Sequence, residues 1–152
     1  MIMILNDVLT KQNIITKILL ANGDKELSKE LKVKIMRIRM AYNKIRKQFD
    51  DETKEFGEQI VSDELKALLN KTDRTSEEET RFAELNSKAN SEYQEFLIQK
   101  GKEEIQNAPD DTFTEDEFSD ILDINSEGEY EINNQKVKAA DLMEAVYELF
   151  VK

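Results

Sequence analysis

Cysteine, histidine and tryptophan are absent from this chain of 152 residues, which contains 1 proline and 4 glycines. Without cysteine and histidine it cannot build a Cys/His zinc site, a thiol nucleophile, a disulfide or a Ser-His-Asp triad. The lack of cysteine also fits a reducing compartment. A membrane span needs roughly 18 consecutive apolar residues, and the longest apolar run covers only residues 1–5. No basic segment precedes that run, so a secretory signal is not expected.

Acidic side chains outnumber basic ones by 33 to 22, which gives a formal net charge of −11. The charge is distributed unevenly. Residues 1–50 carry 11 basic and 5 acidic side chains, whereas residues 101–152 carry 4 and 15. This asymmetry favours attraction between the two ends, within one fold or between copies, and salt would weaken that attraction.

A long apolar stripe at helical spacing is the strongest pattern in the chain. Before it, a helix is predicted over 7–21, where Asn6-Asp7 provides an N-cap and Asn22-Gly23 a stop. The first long helix is then predicted over about 25–60. Its stripe begins at Leu31, and its remaining members are the predicted core or self-association residues: Ile35, Ile38, Tyr42, Ile45, Phe49 and Phe56.

A second stripe follows a short helix predicted at about 62–69. Ser76 and Glu79 have the spacing of a capping box, and so do Thr75 and Glu78, and a helix is predicted over about 76–106. Its apolar positions are Phe82, Leu85, Ala89 and Phe96. Because two such stripes cannot stay in water, the two long helices are predicted to close as an antiparallel hairpin with the apolar seam inside.

Pro109 marks the predicted domain boundary, since proline cannot continue a helix interior. The chain is therefore divided into a helical hairpin domain, 1–106, and a small C-terminal element, 107–152. That element is predicted to contain a helix at 115–122, a β-hairpin at about 129–138 and a last helix at 140–151. The predicted fold is mainly α: a long antiparallel helical hairpin with an N-terminal helix and a small C-terminal α-β-β-α element.

An acidic loop in the C-terminal element resembles an EF-hand calcium loop. Its acids and amides at positions 1, 3, 5 and 7 are Asp123, Asn125, Glu127 and Glu129. Ca²⁺ takes about six to eight oxygen ligands, and Gly128 at position 6 allows the sharp turn. Two features oppose this assignment: position 12 is Asn134 instead of glutamate, and the segment after position 6 has a strand pattern. An acidic turn is the preferred interpretation, and no metal or cofactor is expected.

The acidic run from Asp110 to Asp123 has a second interpretation, as a mimic of a phosphate backbone that occupies a nucleic-acid-binding partner. A solvated helix face is the simpler interpretation of this run.

The basic residues of the helix over 25–50 are a second candidate contact for nucleic acid. The acidic remainder of the chain repels phosphates and no groove-reading motif is present, so direct nucleic-acid binding is not expected.

Three segments resemble a known group of proteins in their layout. They are the N-terminal Ile4–Leu9, the apolar and basic run Leu31–Phe49, and the closing Ala140–Phe150. Together they resemble small bacteriophage-encoded helical proteins of uncharacterised function. The resemblance implies a phage or prophage setting and assigns no site.

No glycine-rich phosphate loop, nucleophile elbow or selective pair of carboxylates is present, so the chain is not expected to be an enzyme. We expect a structural or assembly protein that acts through helix-face contacts, with itself or with a phage assembly, and without a membrane. The alternative is an acidic regulator or nucleic-acid mimic that inhibits a host protein, and a third is a calcium-responsive module. These functions would place it in the host cytoplasm or in a virion.

Overall fold

The computed structural model describes residues 3–19, 27–124, 129–132 and 134–151. The fold is mainly α, which confirms the predicted class. Within the described residues the helices are α1 (Leu5–Leu19), α2 (Lys29–Gln59), α3 (Asp63–Leu69), α4 (Ser76–Gly101), α5 (Glu115–Ile124) and α6 (Ala139–Phe150).

Two small antiparallel strand pairs accompany these helices. Strand β1 (Met3–Ile4) pairs with β2 (Glu104–Ile105), and β3 (Glu129–Ile132) pairs with β4 (Gln135–Lys138). The second pair confirms the predicted hairpin, and its turn includes Asn134 at a φ of 63°, a backbone conformation that asparagine tolerates. The first pair was not predicted, because strands of two residues are too short to show a period of two.

The contacts of the chain define two compact units. The first unit comprises Met1–Arg46 and Glu104–Lys152, and the second unit comprises Lys47–Glu103. This division differs from the predicted boundary between 106 and 107. The reason is that α2 contributes its N-terminal part to one unit and its C-terminal part to the other, so the chain leaves the first unit inside a helix.

The core of the first unit contains the N-terminal half of the α2 stripe. Leu31, Ile35, Ile38 and Tyr42 are buried together with apolar residues of α1, α5 and α6 and with Phe113. The prediction that the whole α2 stripe packs against the helix beginning at 76 is therefore wrong for this half. The apolar faces of α1 and α6 cover it instead, because each of them also needs to leave water.

The second unit contains the part of the hairpin that was predicted correctly. Phe56 of α2 stacks on Phe96 of α4 with ring centroids 4.1 Å apart, and Glu52 of α2 forms an ion pair of 2.6 Å with Lys100 of α4. Because the earlier residue of α2 contacts the later residue of α4, the two segments run antiparallel. Of the two candidate capping boxes, the one formed by Thr75 and Glu78 is present. Helix α4 ends at Gly101, before the predicted residue 106, because the chain then enters β2.

Candidate interaction surface

The residues predicted for docking are largely core residues. Ile35, Ile38 and Tyr42 are buried in the first unit, and Ile45 packs partly buried against the same core. Phe49 and Phe56 are half-buried. A buried side chain cannot contact a partner, so of the two interpretations of the stripe, core or self-association surface, the first three residues are core.

The opposite side of α2 presents apolar side chains to solvent. Met40 is 67% exposed, Met36 53% and Val33 37%. At 3.6 residues per turn, these three positions lie on the side of the helix away from the buried stripe. Lys29, Arg37 and Lys44 are exposed around them. We call these six residues the outer face of α2.

Sequence reasoning missed the outer face, although a signal was present. Val33, Met36 and Met40 repeat at spacings of 3 and 4, the same period as the core stripe but out of phase with it. Two apolar stripes on one helix predict that one faces the core and that the other is available for a second contact.

The charge around the outer face is mainly basic: no acid occurs in the segment 31–49, and the acids beside it are Glu30 and Asp110. Some cations of this segment have partners: Lys34 lies 2.9 Å from Glu117 and donates to the carbonyl of Thr112, and Lys47 lies 2.8 Å from Asp51. Lys29, Arg37 and Lys44 have no ion-pair partner within the described part of the chain. Their charge is therefore free to meet an acidic partner.

A groove borders the outer face on one side. It has a volume of about 410 Å³. Its lining comprises residues of α2 and of the segment after β2: Glu30, Val33, Lys34, Arg37, Ile38, Pro109 and Asp110. A groove beside exposed methionines gives a partner a concave edge as well as an apolar surface, and methionine adapts to irregular partner surfaces.

A buried polar cluster joins three segments of the first unit. The Lys11 ammonium lies 2.7 Å from Oδ2 of Asp111, and the Tyr42 hydroxyl donates to the same oxygen. Lys11 is 7% exposed and Asp111 4%. Burial and the hydrogen bond to Asp111 raise the pKa of Tyr42 far above its usual range, so the phenol remains a donor. The cluster ties α1, α2 and the segment after β2 together.

The acidic run divides between structural and exposed residues. Asp111 is paired with Lys11, and Glu117 is paired with Lys34. The exposed acids of this run are Asp110, Glu115, Asp116, Asp120 and Asp123. The surface left for a phosphate-like pattern is therefore smaller than the sequence indicated.

The predicted calcium loop is only partly described. Asn125 and Glu127 lie outside the described residues. Asp123 is exposed in the last turn of α5, and Glu129 is the first residue of β3. Across residues 3–19, 27–124, 129–132 and 134–151, no three acidic side chains are grouped closely enough to hold a metal ion. The calcium loop stays the less favoured alternative to an acidic turn.

One side of α4 is exposed and almost free of charge. Its exposed residues include Asn86, Ser87, Asn90, Ser91 and Gln94. We call the strip formed by these five residues the amide face of α4. Ile98 is 56% exposed.

No helix in the described part of the chain is both long and apolar enough to cross a membrane. Comparisons with protein-family models, with curated proteins and with solved structures found no match to this chain. Its function therefore has to be inferred from its own residues.

Proposed function

We propose that this protein is a non-enzymatic assembly or structural protein that binds a protein partner through the outer face of α2. The observation that carries the proposal is the exposure of Met36 and Met40 between unpaired cations on a helix whose other side is core. Large exposed apolar side chains in a cluster mark interaction sites more often than scattered ones do.

The partner that fits this surface is an acidic amphipathic helix. Its apolar residues would cover Val33, Met36 and Met40, and fully burying one such side chain is worth about 1.5–3 kcal/mol before the costs of association. Its acids would meet Lys29, Arg37 and Lys44, which would steer the encounter and set its orientation.

Duplex DNA or RNA fits the surface less well. A nucleic-acid contact gains from cations but not from exposed methionines, and the net charge of −11 opposes approach of a phosphate backbone. The three unpaired cations would also be few for a stable phosphate-binding surface.

The proposal can be tested with designed probes. We expect the full chain to bind a synthetic helical peptide with leucine on one face and glutamate around it, and to bind a lysine version and duplex DNA much more weakly. Met40→Glu should abolish peptide binding, because it places a carboxylate at the centre of the apolar contact. Leu69→Glu is the matched control, since Leu69 is an exposed apolar residue of α3.

Equal binding by Met40→Glu and Leu69→Glu would refute the proposal, as would tighter binding of duplex DNA than of the acidic peptide. A peptide of the same charge without leucines separates the two contributions. If that peptide binds equally well, the contact is purely electrostatic and the exposed methionines have no role.

The phage setting is part of the proposal and rests on the layout resemblance alone. It predicts that the chain is found in purified virions or in assembly intermediates from the host cytoplasm. Mass spectrometry of such particles is the direct measurement.

A second candidate function, an acidic regulator that mimics nucleic acid, is supported by the exposed acids of α5, notably Asp116 and Asp120. It predicts binding to a nucleic-acid-binding host protein, with competition by duplex DNA and loss of binding at high salt. The variant Asp116→Lys/Asp120→Lys should weaken that complex, whereas Met40→Glu should not. The opposite pattern would favour docking by α2.

A further inference from the structure

Helices α5 and α6 share an exposed apolar surface in the first unit. The ring of Phe118 packs edge to face against that of Tyr147, with ring centroids 5.1 Å apart, and Leu122 lies about one turn further along α5. Tyr147 is 42% exposed and Leu122 39%. The fold therefore leaves large parts of both side chains in water, although it buries Ile121 beside Leu122 completely.

Carboxylates border this apolar surface. The Tyr147 hydroxyl donates a hydrogen bond of 2.7 Å to Oε1 of Glu115, and the exposed Glu144 stands three residues before Tyr147, on the neighbouring turn of α6. Neither α5 nor α6 contains a basic residue. Neither Glu115 nor Glu144 forms an ion pair within the described part of the chain. We call Glu115, Phe118, Leu122, Glu144 and Tyr147 the acidic apolar patch.

The acidic apolar patch and the outer face of α2 are complementary. Each presents apolar side chains to solvent, and each borders them with charges, which are carboxylates on the patch and mainly cations on the outer face. On the outer face the cations Lys29, Arg37 and Lys44 outnumber the adjacent acids, Glu30 and Asp110. The partner that fits the outer face is an acidic helix with exposed apolar side chains, and α5 has these properties.

The two surfaces do not satisfy each other within one copy. Helices α2 and α5 contact each other through Lys34 and Glu117, which belong to neither surface. The cations of the outer face and the acids of the patch have no ion-pair partner within the described part of the chain. Two chains of net charge −11 repel each other, and contact of the basic outer face with the acidic apolar patch replaces that repulsion with local attraction.

We propose that the outer face of α2 in one copy binds the acidic apolar patch of a second copy of this chain. The apolar side chains of the patch cover Met36 and Met40. Its carboxylates lie beside Arg37 and Lys44. Because the two surfaces differ, one contact leaves each copy with one surface unused, and the unused pair either closes the dimer or binds further copies. This inference rests on the proposed function, since it identifies the acidic helical partner as α5 of a second copy.

The first experiment is analytical ultracentrifugation of the full chain from micromolar to millimolar concentration. We expect the average mass to rise above that of one chain, 17.7 kDa. Met40→Glu places a carboxylate against the acidic apolar patch, and Leu122→Lys places an ammonium group against the cations of the outer face. Each should weaken the association more than tenfold. Leu69→Glu and Leu69→Lys, at the exposed leucine of α3, are the matched controls.

The second experiment mixes the two variants and so distinguishes contact between unlike surfaces from any other contact. Leu122→Lys keeps the outer face and Met40→Glu keeps the acidic apolar patch, so the mixture contains one intact pair of surfaces. Each variant alone should stay near 17.7 kDa, whereas an equimolar mixture should reach twice that mass and no more. If either surface instead binds the same surface of a second copy, mixing gives no such gain.

The third experiment tests the proximity of the two surfaces by cross-linking. The chain has no cysteine, so an introduced thiol can form a disulfide only between copies. Under mild oxidation, Met40→Cys mixed with Leu122→Cys should form a mixed disulfide faster than either variant forms a disulfide with itself. Leu69→Cys mixed with Leu122→Cys is the control and should react slowly. Circular dichroism establishes that each variant keeps its helix content.

Binding of the acidic leucine peptide separates this inference from the proposed function. The peptide should displace the second copy, and Leu122→Lys should bind it as the unaltered chain does. A chain that binds the peptide through Met40 but stays at 17.7 kDa at every concentration would overturn the contact between copies and leave the proposed function intact. Equal association of Met40→Glu and Leu69→Glu, or no gain of mass on mixing, would also overturn that contact. A chain that neither associates nor binds the peptide would overturn both.

Discussion

The two units of this protein are stabilised by different kinds of contact. The first unit has a continuous apolar core built from α1, part of α2, α5 and α6, with the buried ion pair of Lys11 and Asp111 beside it. In the second unit the buried apolar residues are fewer among the described residues: Leu65, Leu68 and Ala89. Its other contacts are the half-exposed stack of Phe56 on Phe96 and ion pairs at the surface.

This difference follows from how each unit uses the chain. The first unit brings together segments about 100 residues apart, such as Lys11 and Asp111. The second unit is formed by one continuous stretch, Lys47–Glu103, in which α3 and α4 are neighbours. Burial removes water from the first set of contacts, whereas solvent screens the second set. Substitutions in the first unit should therefore cost more stability than equivalent ones in the second.

The largest effect is expected from Asp111→Ala. Removing one partner of a buried pair leaves Lys11 as an uncompensated charge and Tyr42 without its acceptor, which should destabilise the protein by about 3–5 kcal/mol. Urea unfolding followed by circular dichroism measures the loss. Asp116→Ala, at an exposed acid, is the control and should change little. A loss for Asp111→Ala as small as that of the control would mean that the pair is solvated.

A pair of core truncations compares the two units directly. Ile35→Ala removes a fully buried side chain and should cost about 2–5 kcal/mol. Phe56→Ala removes a larger side chain that is half-buried, and we expect about 1.5–2.5 kcal/mol, including the loss of stacking on Phe96. Amide hydrogen exchange assigns each loss to its unit. If Phe56→Ala were the more costly change, the first unit would not be the main source of stability.

Helix capping gives a smaller effect in the second unit. The Thr75 hydroxyl accepts a hydrogen bond of 3.2 Å from the amide of Glu78 at the start of α4. Thr75→Ala should cost about 1 kcal/mol, and Thr75→Ser should restore most of it. Thermal unfolding of the two variants makes the comparison. Equal destabilisation by both would show that the methyl group of Thr75 matters and that its hydroxyl does not.

The smallest effect concerns pH and the pair of Glu52 with Lys100. The hydrogen bond from Lys100, and then that from Gln48, lowers the pKa of Glu52 below its usual 4.5. The pair with Glu52 also raises the pKa of Lys100 above 10.5. The stability that Glu52 contributes is therefore complete above about pH 4.5 and is lost as the pH falls through the lowered value. The stability that Lys100 contributes is complete below pH 10.5 and is lost as the pH rises above that value.

Because this pair is partly exposed, its contribution should stay under about 1 kcal/mol at neutral pH. Glu52→Gln should flatten the acidic limb of a plot of unfolding free energy against pH, and added salt should reduce the difference from the unaltered chain. An acidic limb that is unchanged in Glu52→Gln would mean that the pair contributes nothing to stability.

Local patterns predicted most of the elements but few of their partners. The capping box at Thr75, the break near Pro109 and the hairpin at 129–138 were all visible, because each depends on neighbouring residues. Lys11 gave no such signal. A lone lysine on a helix is ordinarily solvent-exposed, and only its approach to Asp111 makes it a core residue.

The candidate surfaces show the same division between sequence and structure. The residues from Ile35 to Phe56 that were predicted as core or self-association residues form the strongest apolar pattern of the chain, and a strong apolar pattern favours the core. The weaker, out-of-phase repeat of Met36 and Met40 is the one that reaches solvent. The amide face of α4 carried no apolar signal at all, so periodicity could not detect it.

By itself the sequence determined which segments are helical, with ends that differ by several residues in places, that the fold is mainly α, and that a basic part of α2 precedes an acidic remainder. These properties depend on residues within one or two turns of each other. Only the tertiary structure decided that the stripe of α2 divides between two units and that Asp111 is buried on Lys11. An apolar stripe specifies that one face of a helix must leave water, but any other apolar face of suitable shape can cover it.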